Sequence, residues 1–439
     1  MKHRRKVAAS IAAVSAAAML LASCSSGGGE TSNAGDGKGD VTVWAHQGKD
    51  TEVSALQDAV ANFNSSQPDV TVKLTLVPEA DYTTTIQSTT AKDLPDVLEL
   101  DGPTLSSFVY DAKVAPISSY VSKATIDNAT GGNVQEGTVG GKLYALAQFN
   151  SGLGLCANGA MLDDAGVSYP TSIDTAWTAD EFLTALKTLA AANPSGYALD
   201  IKENYGLGGE WGTYAFSPLL QSAGGNLIAD NKASGVLDSP ESISAMEALQ
   251  SWMPYVDPDE DDSALVDGRV AISWCGHWLY PGYADALGKD LVILPLPNMG
   301  DGSKTGAGSW TWGMGSTTSQ GAAAGKFLDY LLNDANVAAM TAANGAPPAT
   351  KSVFAADKLY SPGGPLELWG QQLDAGCNAA SITNDCVSVL RPLTAGYPVI
   401  TSEFASALAG IATGDDVKSA LTGAATKIDQ SFSDNNDYK

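Results

Sequence analysis

Between residues 41 and 100 the chain switches between strand-like and helix-like hydrophobic patterns. Residues 41–44 and 68–76 alternate apolar and polar positions as strands do, and residues 94–100 contain a third apolar run. Residues 52–64 and 82–90 lie between these runs and show helical spacing or a polar helical composition. Strand, helix, strand, helix, strand is the order of a doubly wound α/β sheet, so the pattern predicts that fold class.

The carboxyl ends of these predicted strands are the first place to look for a binding site, because ligands of such sheets contact the loops that follow the strands. The first strand ends in Trp44-Ala-His46-Gln47 and the third ends in Asp101-Gly-Pro-Thr104. His46, Gln47 and Asp101 are therefore candidate hydrogen-bonding residues. Asp101 has an alternative role as the N-cap of a helix.

The rest of the chain continues to mix the two patterns, without a repeat of fixed period. Its clearest helix is 178–192, since Thr178 and Glu181 occupy the two positions of a capping box. Residues 208–211 and 301–308 are predicted to be loops because of their glycines. Further helices are predicted at 161–166, 240–254, 325–340, 398–411 and 417–432, and further strands at 152–156, 224–228, 270–275, 291–297 and 309–315.

The N-terminus looks like a bacterial lipoprotein signal peptide. A basic head precedes an apolar run from Val7 to Leu21, and Leu21-Ala-Ser-Cys24 follows at once. About fifteen apolar residues suit export and are too few for a ~20-residue membrane span. We expect that residues 1–23 are removed, that Cys24 carries lipid at the outer face of the cytoplasmic membrane, and that residues 24–40 are a flexible linker. The alternative is a plain secretory signal in which Cys24 is incidental.

The chain is strongly acidic, with 49 Asp and Glu residues against 24 Lys and Arg residues and a formal net charge of −25. Removal of the signal peptide takes away four of the basic residues and none of the acidic ones. So negative a surface disfavours nucleic acid and anionic lipid headgroups as partners. A neutral ligand is indifferent to this charge.

Four cysteines remain besides Cys24, an even number that suits an oxidising compartment. Cys377 and Cys386 bracket a short loop, and Cys156 and Cys275 end two apolar runs that are typical of strands. We expect the disulfides Cys377–Cys386 and Cys156–Cys275, while the other two pairings and free buried thiols stay open.

The run Asp257-Pro-Asp-Glu-Asp-Asp262 alternates carboxylates as a calcium-binding loop does. Its sixth position is Asp262 instead of Gly and its twelfth is Gly268 instead of Glu, so a solvated acidic loop is the better interpretation. No C-x-x-C motif occurs, and the mature chain keeps only His46 and His277. We therefore expect neither a metal site nor a cofactor.

Several motifs follow one another along nearly the whole mature chain. They are Val-Thr-Val-Trp44, Leu-Pro-Asp-Val97, Gly-Lys-Leu-Tyr144-Ala-Leu, Asp267-Gly-Arg-Val-Ala-Ile-Ser273 and Arg391-Pro392. Together they resemble the extracellular solute-binding proteins of carbohydrate ABC transporters, a maltose-binding-like family. The resemblance implies a monomer with the two-lobe, type II periplasmic-binding-protein fold, which holds an oligosaccharide in the cleft and presents it unaltered to the permease subunits.

The same resemblance implies how the chain divides. One lobe is expected to comprise residues 41–148 plus 311–348, and the other residues 149–310 plus 349–439. The family's Gly-Pro-Trp turn corresponds to Gly276-His277-Trp278, so His277 stands where the relatives have proline.

A pyranose has a C–H face and a rim of hydroxyls, so its site needs flat aromatic rings together with planar hydrogen-bonding groups. The candidate rings lie in apparent loops, on the strand at 309–315 or at positions that match the family: Trp211, Trp278, Trp310, Trp312 and Tyr397. The candidate rim residues are Asp101, His46, Gln47, Glu210, His277 and Arg391, because charged groups form strong hydrogen bonds in a closed cleft. His277 has the alternative of a purely structural role, and Trp44, Trp177 and Trp252 are expected in the core.

Three other functions fit parts of the sequence. An exported glycoside hydrolase needs two carboxylates about 5 to 9.5 Å apart, which a chain so rich in acids cannot exclude. The same fold can hold a peptide, a phosphate or a metal complex, although the acidic balance and the scarcity of histidine disfavour anions and metals. An adhesive lipoprotein fits the N-terminus but not the repeated crossing between two lobes.

Overall fold

The computed structural model describes residues 35–383 and 385–439. The predicted signal peptide, the predicted lipidation site Cys24 and the first part of the predicted linker lie outside the described residues. Within the described ranges, none of the helices combines the length and the apolar content that crossing a membrane requires.

The described residues form fifteen strands and sixteen α-helices. The strands are β1 Gly39–Gln47, β2 Val70–Pro78, β3 Val97–Asp101, β4 Val114–Ala115, β5 Thr138–Val139, β6 Lys142–Leu143, β7 Ala145–Leu146, β8 Leu153–Asn158, β9 Leu199–Asp200, β10 Ile272–Gly276, β11 Leu291–Leu294, β12 Thr305–Ala307, β13 Trp310–Gly315, β14 Gly376–Asn378 and β15 Ser388–Leu390. The helices are α1 Asp50–Ser66, α2 Glu79–Ser88, α3 Leu105–Tyr110, α4 Lys123–Asn128, α5 Gly131–Glu136, α6 Gly159–Asp164, α7 Ala179–Ala192, α8 Glu210–Ser222, α9 Pro240–Trp252, α10 Tyr280–Leu287, α11 Gly321–Leu331, α12 Asp334–Asn344, α13 Lys351–Ala356, α14 Glu367–Asp374, α15 Tyr397–Ala412 and α16 Val417–Asp434.

The first sheet has six strands in the order β2-β1-β3-β13-β4, with β7 paired to β13. β1 pairs in parallel with β2 and with β3, whereas β13 comes from late in the chain and pairs antiparallel with β3. Helix α1 packs on this sheet through Leu56, Val60 and Phe63, which recur at helical spacing and are buried. The predicted α/β arrangement of residues 41–100 is therefore confirmed.

A second sheet, β11-β8-β10-β9, and a third, β12-β15-β14, belong to the other half of the protein. Helices α7, α8, α9, α15 and α16 contribute to a hydrophobic core around the second sheet that is distinct from the core of the first. The capping box predicted at Thr178 is present at the start of α7. The protein thus has the predicted two-lobe α/β fold.

Three connecting segments run side by side between the two halves. Asn150 N donates to Pro347 O at 2.8 Å, Phe149 pairs with Pro348, and Gly152 pairs with Ala307. These backbone pairings hold the segments near residues 150, 307 and 347 next to one another.

Both predicted disulfides are present. Cys156 on β8 and Cys275 on the antiparallel neighbour β10 have Cα atoms 5.8 Å apart. Cys377 on β14 is bonded to Cys386, which lies two residues before β15. The first disulfide ties two strands of one sheet together, and the second closes the loop that leads into β15.

Three local predictions were wrong. The helix predicted at 325–340 is interrupted, because the side chain of Asn333 accepts a hydrogen bond from Asn336 N and starts α12 as a new helix. Residues 224–228 form no strand, and the nearest pairing is a single bridge between Ala229 and Lys232. The loop predicted at 301–308 ends in β12, which is paired with β15.

The loop predicted at 208–211 was also wrong, since α8 begins at Glu210 within it. Gly208 and Gly209 precede the helix and Pro218 lies inside it, so three residues that usually break helices masked the pattern. Trp211 consequently lies in the first turn of a helix, with its side chain buried.

Candidate functional site

Arg391 lies at the centre of a buried ion-pair network. It directly follows β15, and its guanidinium donates hydrogen bonds to Asp101 Oδ1 at 3.1 Å and to Glu210 Oε1. Asp101 ends β3 of the first sheet, whereas Glu210 begins α8, which packs in the core of the second. Arg391 therefore joins two carboxylates that belong to different halves of the protein. The side chain of Asp101 makes no helix-capping hydrogen bond, so the alternative predicted for it does not apply.

Hydroxyl groups and an aromatic ring complete this network. Tyr397 OH donates to Glu210 Oε1, and Thr401 Oγ1 donates to Glu210 Oε2 at 2.8 Å. The ring of Tyr214 lies against the guanidinium of Arg391, with 4.6 Å from Cζ to the ring centroid, which is a cation–π contact. Both oxygens of Glu210 are thereby held in fixed directions.

Burial changes the ionisation of the acids around Arg391. Burial raises the pKa of Asp101 to about 6, against the opposing effect of Arg391 and with a further contribution from the charge of Glu210. Burial also raises the pKa of Glu136 to about 7, and its Oε1 accepts a hydrogen bond from Ser309 N at 3.1 Å. The charge of Arg391 thus opposes the effect of burial on both acids, and the pKa of Glu136 stays above that of Asp101.

Three aromatic side chains, Tyr205, Trp211 and Trp278, form an aromatic group beside this network. The ring of Trp211 is edge-on to Trp278, with centroids 6.2 Å apart, and to Tyr205, with centroids 5.2 Å apart. Trp278 Nε1 donates to Tyr205 OH at 3.2 Å. Trp211 also lies edge-on to Tyr214 at 6.4 Å, so the aromatic group is continuous with the network around Arg391.

Asp262 connects the aromatic group to the first half of the protein. Its Oδ1 accepts from Tyr205 OH at 2.8 Å, and its Oδ2 accepts from Lys49 Nζ at 2.7 Å, just beyond the end of β1. Burial alone would raise the pKa of Asp262. Hydrogen bonds from Lys49, Asn204 and Tyr205 outweigh this effect and hold the pKa below its usual value. Asp262 is therefore a firmly charged acceptor that fixes the hydroxyl of Tyr205.

His46 forms a separate buried pair at the end of β1. Its Nδ1 donates to Glu99 Oε2 at 2.8 Å, and its ring stacks on Trp310 with centroids 4.0 Å apart. Burial alone would lower the pKa of His46. The charges of Glu99 and Glu52 outweigh this effect and raise the pKa from 6.5 to about 9. His46 is thus a charged imidazolium at neutral pH that covers one face of Trp310.

The structure brings six of the predicted site residues into one continuous region: Asp101, Glu210, Arg391, Tyr397, Trp211 and Trp278. Two of the predicted rings occupy other positions than expected. The ring of Tyr397 is fully buried, at 0% exposure, and contributes its hydroxyl instead of a face. Trp312 is 1% exposed in the core of the first sheet, so the prediction of a stacking role for it was wrong.

His277 and Gln47 lie outside this region. His277 is buried and its Nδ1 donates to Asn344 O at 2.9 Å; burial lowers its pKa to about 4, so the ring is neutral and has the structural role given as the alternative. Gln47 is exposed at the end of β1. Trp177 and Trp252 are in the core as predicted, whereas Trp44 is only half-buried.

Five residues of the region were not predicted from the sequence: Lys49, Glu136, Tyr205, Tyr214 and Asp262. Lys49 carried a usable signal, because it follows the first strand by two residues at the edge where ligands bind. Asp262 was assigned to a solvated loop, and its contacts with Tyr205, Lys49 and Asn204 distinguish it from the neighbouring acids. The other three lie in segments whose positions depend on tertiary packing.

Solved structures with the same fold include several sugar-binding proteins. The chain is similar to the cyclic alpha-maltosyl-1,6-maltose binding protein of Arthrobacter globiformis, with 21% identity, a TM-score of 0.70 and coverage of 90% of this chain and 100% of that one. It is similar to an ABC substrate-binding protein of Listeria monocytogenes in complex with cycloalternan, with 20% identity, a TM-score of 0.75 and coverage of 90% and 99%. The maltotriose binding protein of Thermus thermophilus, bound with maltotriose, gives 17% identity, a TM-score of 0.71 and coverage of 89% and 100%.

At these identities the likeness establishes the two-lobe fold. No curated protein matches the chain in sequence. The family described as bacterial extracellular solute-binding protein matches residues 58–362, which is more than half of the chain. The chain therefore belongs to the family of bacterial extracellular solute-binding proteins, and it is an exported protein.

Proposed function

We propose that the protein binds an oligosaccharide between its two lobes and delivers it, without turnover, to the permease of an ABC importer. A sugar requires both apolar rings and planar hydrogen-bonding groups, and the aromatic group adjoins the Arg391 network. The three relatives described above support the same ligand class, because each is named for, or bound to, an oligosaccharide.

The position of Trp278 is the observation that carries the proposal. Its indole is only half-buried, whereas Trp252, Trp274 and Trp369 are fully buried. Its orientation is fixed by the hydrogen bond to Tyr205 and by the edge of Trp211. Covering about 100 Å² of sugar C–H surface at ~25 cal/mol/Å² contributes on the order of 2.5 kcal/mol, or roughly 60-fold in Kd.

The network around Arg391 supplies the complementary hydrogen bonds. The carboxylates of Asp101 and Glu210 accept from sugar hydroxyls, and the guanidinium of Arg391 donates to them. These groups are held by one another, so a ligand does not bear the entropic cost of ordering them. Charged groups in a site with little water also form stronger hydrogen bonds than neutral ones do.

In this proposal the lobes are residues 41–148 plus 311–348 and residues 149–310 plus 349–439. The separate sheets and cores support the division, and the paired segments near residues 150, 307 and 347 are its hinge. Arg391 and the Lys49–Asp262 pair then hold the lobes together across the cleft.

We also propose that Cys24 carries a lipid anchor and that residues 24–40 tether a monomeric binding protein to the outer face of the cytoplasmic membrane. The sequence Leu21-Ala-Ser-Cys24 after an apolar run supports this location. Mass spectrometry of the mature protein tests it: we expect an N-terminal cysteine with a diacylglyceryl mass, and an unmodified N-terminus contradicts the anchor.

Titration with maltotriose, isomaltotriose and cellotriose tests the function. We expect at least one of these sugars to change the tryptophan fluorescence at micromolar concentration and to be recovered intact. Release of new reducing ends identifies a glycoside hydrolase and overturns the proposal. Trp278→Ala is the control that relates the fluorescence change to the cleft.

A further inference from the structure

We propose that the protein has a second small-molecule site, on the opposite side of the hinge segments from Arg391, and that it takes an amine with an apolar ring. A groove of about 530 Å³ lies there, within the size range of ligand sites. It is lined by residues of α5, by residues of α14 and β14, and by the connecting segments near residues 150, 307 and 347.

The alternation of side chains along the hinge segments separates this groove from the site described above. A side chain at Gly306 would meet Tyr214, and one at Gly308 would meet Glu136 and Arg391, whereas Ala307 between them lines the groove. Successive residues of an extended segment point to opposite faces. Ala307 and the Arg391 network are therefore on opposite faces of the same segment.

Two other segments show the same division. Leu390 lines the groove, while the next residue, Arg391, turns to Asp101 and Glu210. Asn150 lines the groove, while the hydroxyl of Ser151 accepts from Tyr214 OH at 2.9 Å. Three segments thus present one face to the Arg391 network and the other to the groove.

The floor of the groove is apolar and rigid. Pro347 and Pro348 are adjacent and buried, and Ala307 and Leu390 extend the same surface. The ring of Phe354 adds a half-buried apolar wall. Prolines and an aromatic ring lose little conformational freedom on contact with a ligand, so this surface suits the flat apolar face of a ring.

The polar side of the groove selects the charge of its ligand. Asp374, at the end of α14, is the ionisable residue among those that line the groove, and neither lysine nor arginine lines it within the described residues. Asp374 and Gln135 are both exposed at the mouth of the groove, and among the described residues neither side chain has a hydrogen-bond partner within the protein. A carboxylate in a groove that no lysine or arginine lines favours an ammonium group over a neutral or anionic one.

Occupancy of this groove is coupled to the cleft, an inference that rests on the proposed function. Its walls come from both proposed lobes, so a molecule that contacts both biases their relative position. By linkage, such a ligand and the oligosaccharide change each other's affinity by the same factor.

Saturation-transfer NMR with benzylamine, benzyl alcohol and benzoate tests the site, since the three probes share a ring and differ in charge. We expect the strongest signal from benzylamine and the weakest from benzoate. Asp374→Asn is expected to lower the benzylamine signal to that of benzyl alcohol, whereas Asp58→Asn, an exposed control on α1, leaves it unchanged. Equal signals from all three probes, or no effect of Asp374→Asn, overturn the proposal.

A second variant locates the probes. Gly132 borders the groove, and a Cβ there would meet Asn150 Nδ2 at 3.8 Å, an ordinary van der Waals contact, so Gly132→Trp is expected to fill the groove and abolish the benzylamine signal. Displacement of benzylamine by maltotriose, with an unchanged signal in Gly132→Trp, places the amine in the cleft and refutes a second site. If no oligosaccharide binds, the comparison of probes and variants still tests whether the groove binds an amine. Failure of the proposed oligosaccharide function can therefore be distinguished from failure of the proposed amine site.

Discussion

Arg391 and Asp101 are 290 residues apart in the chain, and their side chains are 3.1 Å apart in the structure. The contact joins the residue after β15 to the last residue of β3. Both side chains are largely removed from solvent, at 6% and 12% exposure, so the pair is weakly screened. It is the most buried of the charged contacts that we assign to the interface of the two lobes.

Arg391→Met is expected to destabilise the protein strongly. The substitution leaves the carboxylates of Asp101 and Glu210 buried without their cation, and breaking a buried pair in this way costs about 3–5 kcal/mol. Chemical denaturation monitored by circular dichroism measures this loss. Lys123→Met, which removes an exposed pair with Asp127, is the control and should change the free energy of unfolding by less than ~1 kcal/mol. Equal effects of the two substitutions would show that the network is not structural.

Trp278→Ala and Trp211→Ala are each expected to weaken oligosaccharide binding at least tenfold. Trp278 is half-buried, so its loss should affect affinity more than stability, whereas loss of the buried Trp211 should also cost about 3–5 kcal/mol of stability. Isothermal titration calorimetry below the melting temperature gives the affinities. Trp252→Ala, a core substitution away from the region, should lower stability and leave affinity unchanged. Wild-type affinity in both cleft variants would contradict the assignment of the aromatic group.

Much of the fold follows from local sequence signals. The strands and helices between residues 41 and 100 are recovered because each buries one face, and the capping box at Thr178 marks the start of α7. The two disulfides could be expected because Cys156 and Cys275 lie on patterned strands and because a nine-residue step separates Cys377 from Cys386. These features depend on residues within one or two secondary-structure elements, so a local sequence pattern is enough to predict them.

The site depends on contacts that no local pattern carries. Trp211 was expected in a loop, because Gly209 and Pro218 conceal a helix that is stabilised by burial of nearly all its residues. Trp312 and Tyr397 are residue types that often stack on sugars, but tertiary packing buries both of their rings. Some of its contacts join distant parts of the chain, such as that between Lys49 and Asp262, which are 213 positions apart.

Glu136→Gln is expected to change the pH dependence of stability. Because burial raises the pKa of Glu136 from 4.5 to about 7, the folded protein binds a proton between these pH values that the unfolded chain has released. This residue therefore makes stability fall as pH rises from about 4.5 to 7. The glutamine variant lacks that titration and can still accept from Ser309 N. Its melting temperature should fall less than that of the wild type over this range, and parallel curves would contradict the burial of an ionisable Glu136.

Removal of the two disulfides is expected to have unequal effects. The pair Cys156–Cys275 spans 119 residues and the pair Cys377–Cys386 spans nine. Loop-closure entropy then predicts losses of about 5 and about 3 kcal/mol for the double serine variants. Denaturation of the two variants at equal pH measures the difference. A larger loss of stability from removing Cys377–Cys386 would contradict this prediction. It would indicate that this disulfide also stabilises the folded arrangement of β14 and β15 next to Arg391.

The most direct test of the proposed function is a crystal structure of the protein with the oligosaccharide that titration selects. We expect a sugar ring packed against Trp278 and hydroxyl groups within hydrogen-bonding distance of Asp101, Glu210 or Arg391. An intact sugar bound elsewhere, with this region unchanged, would contradict the proposal that the two lobes hold their ligand between the aromatic group and the Arg391 network.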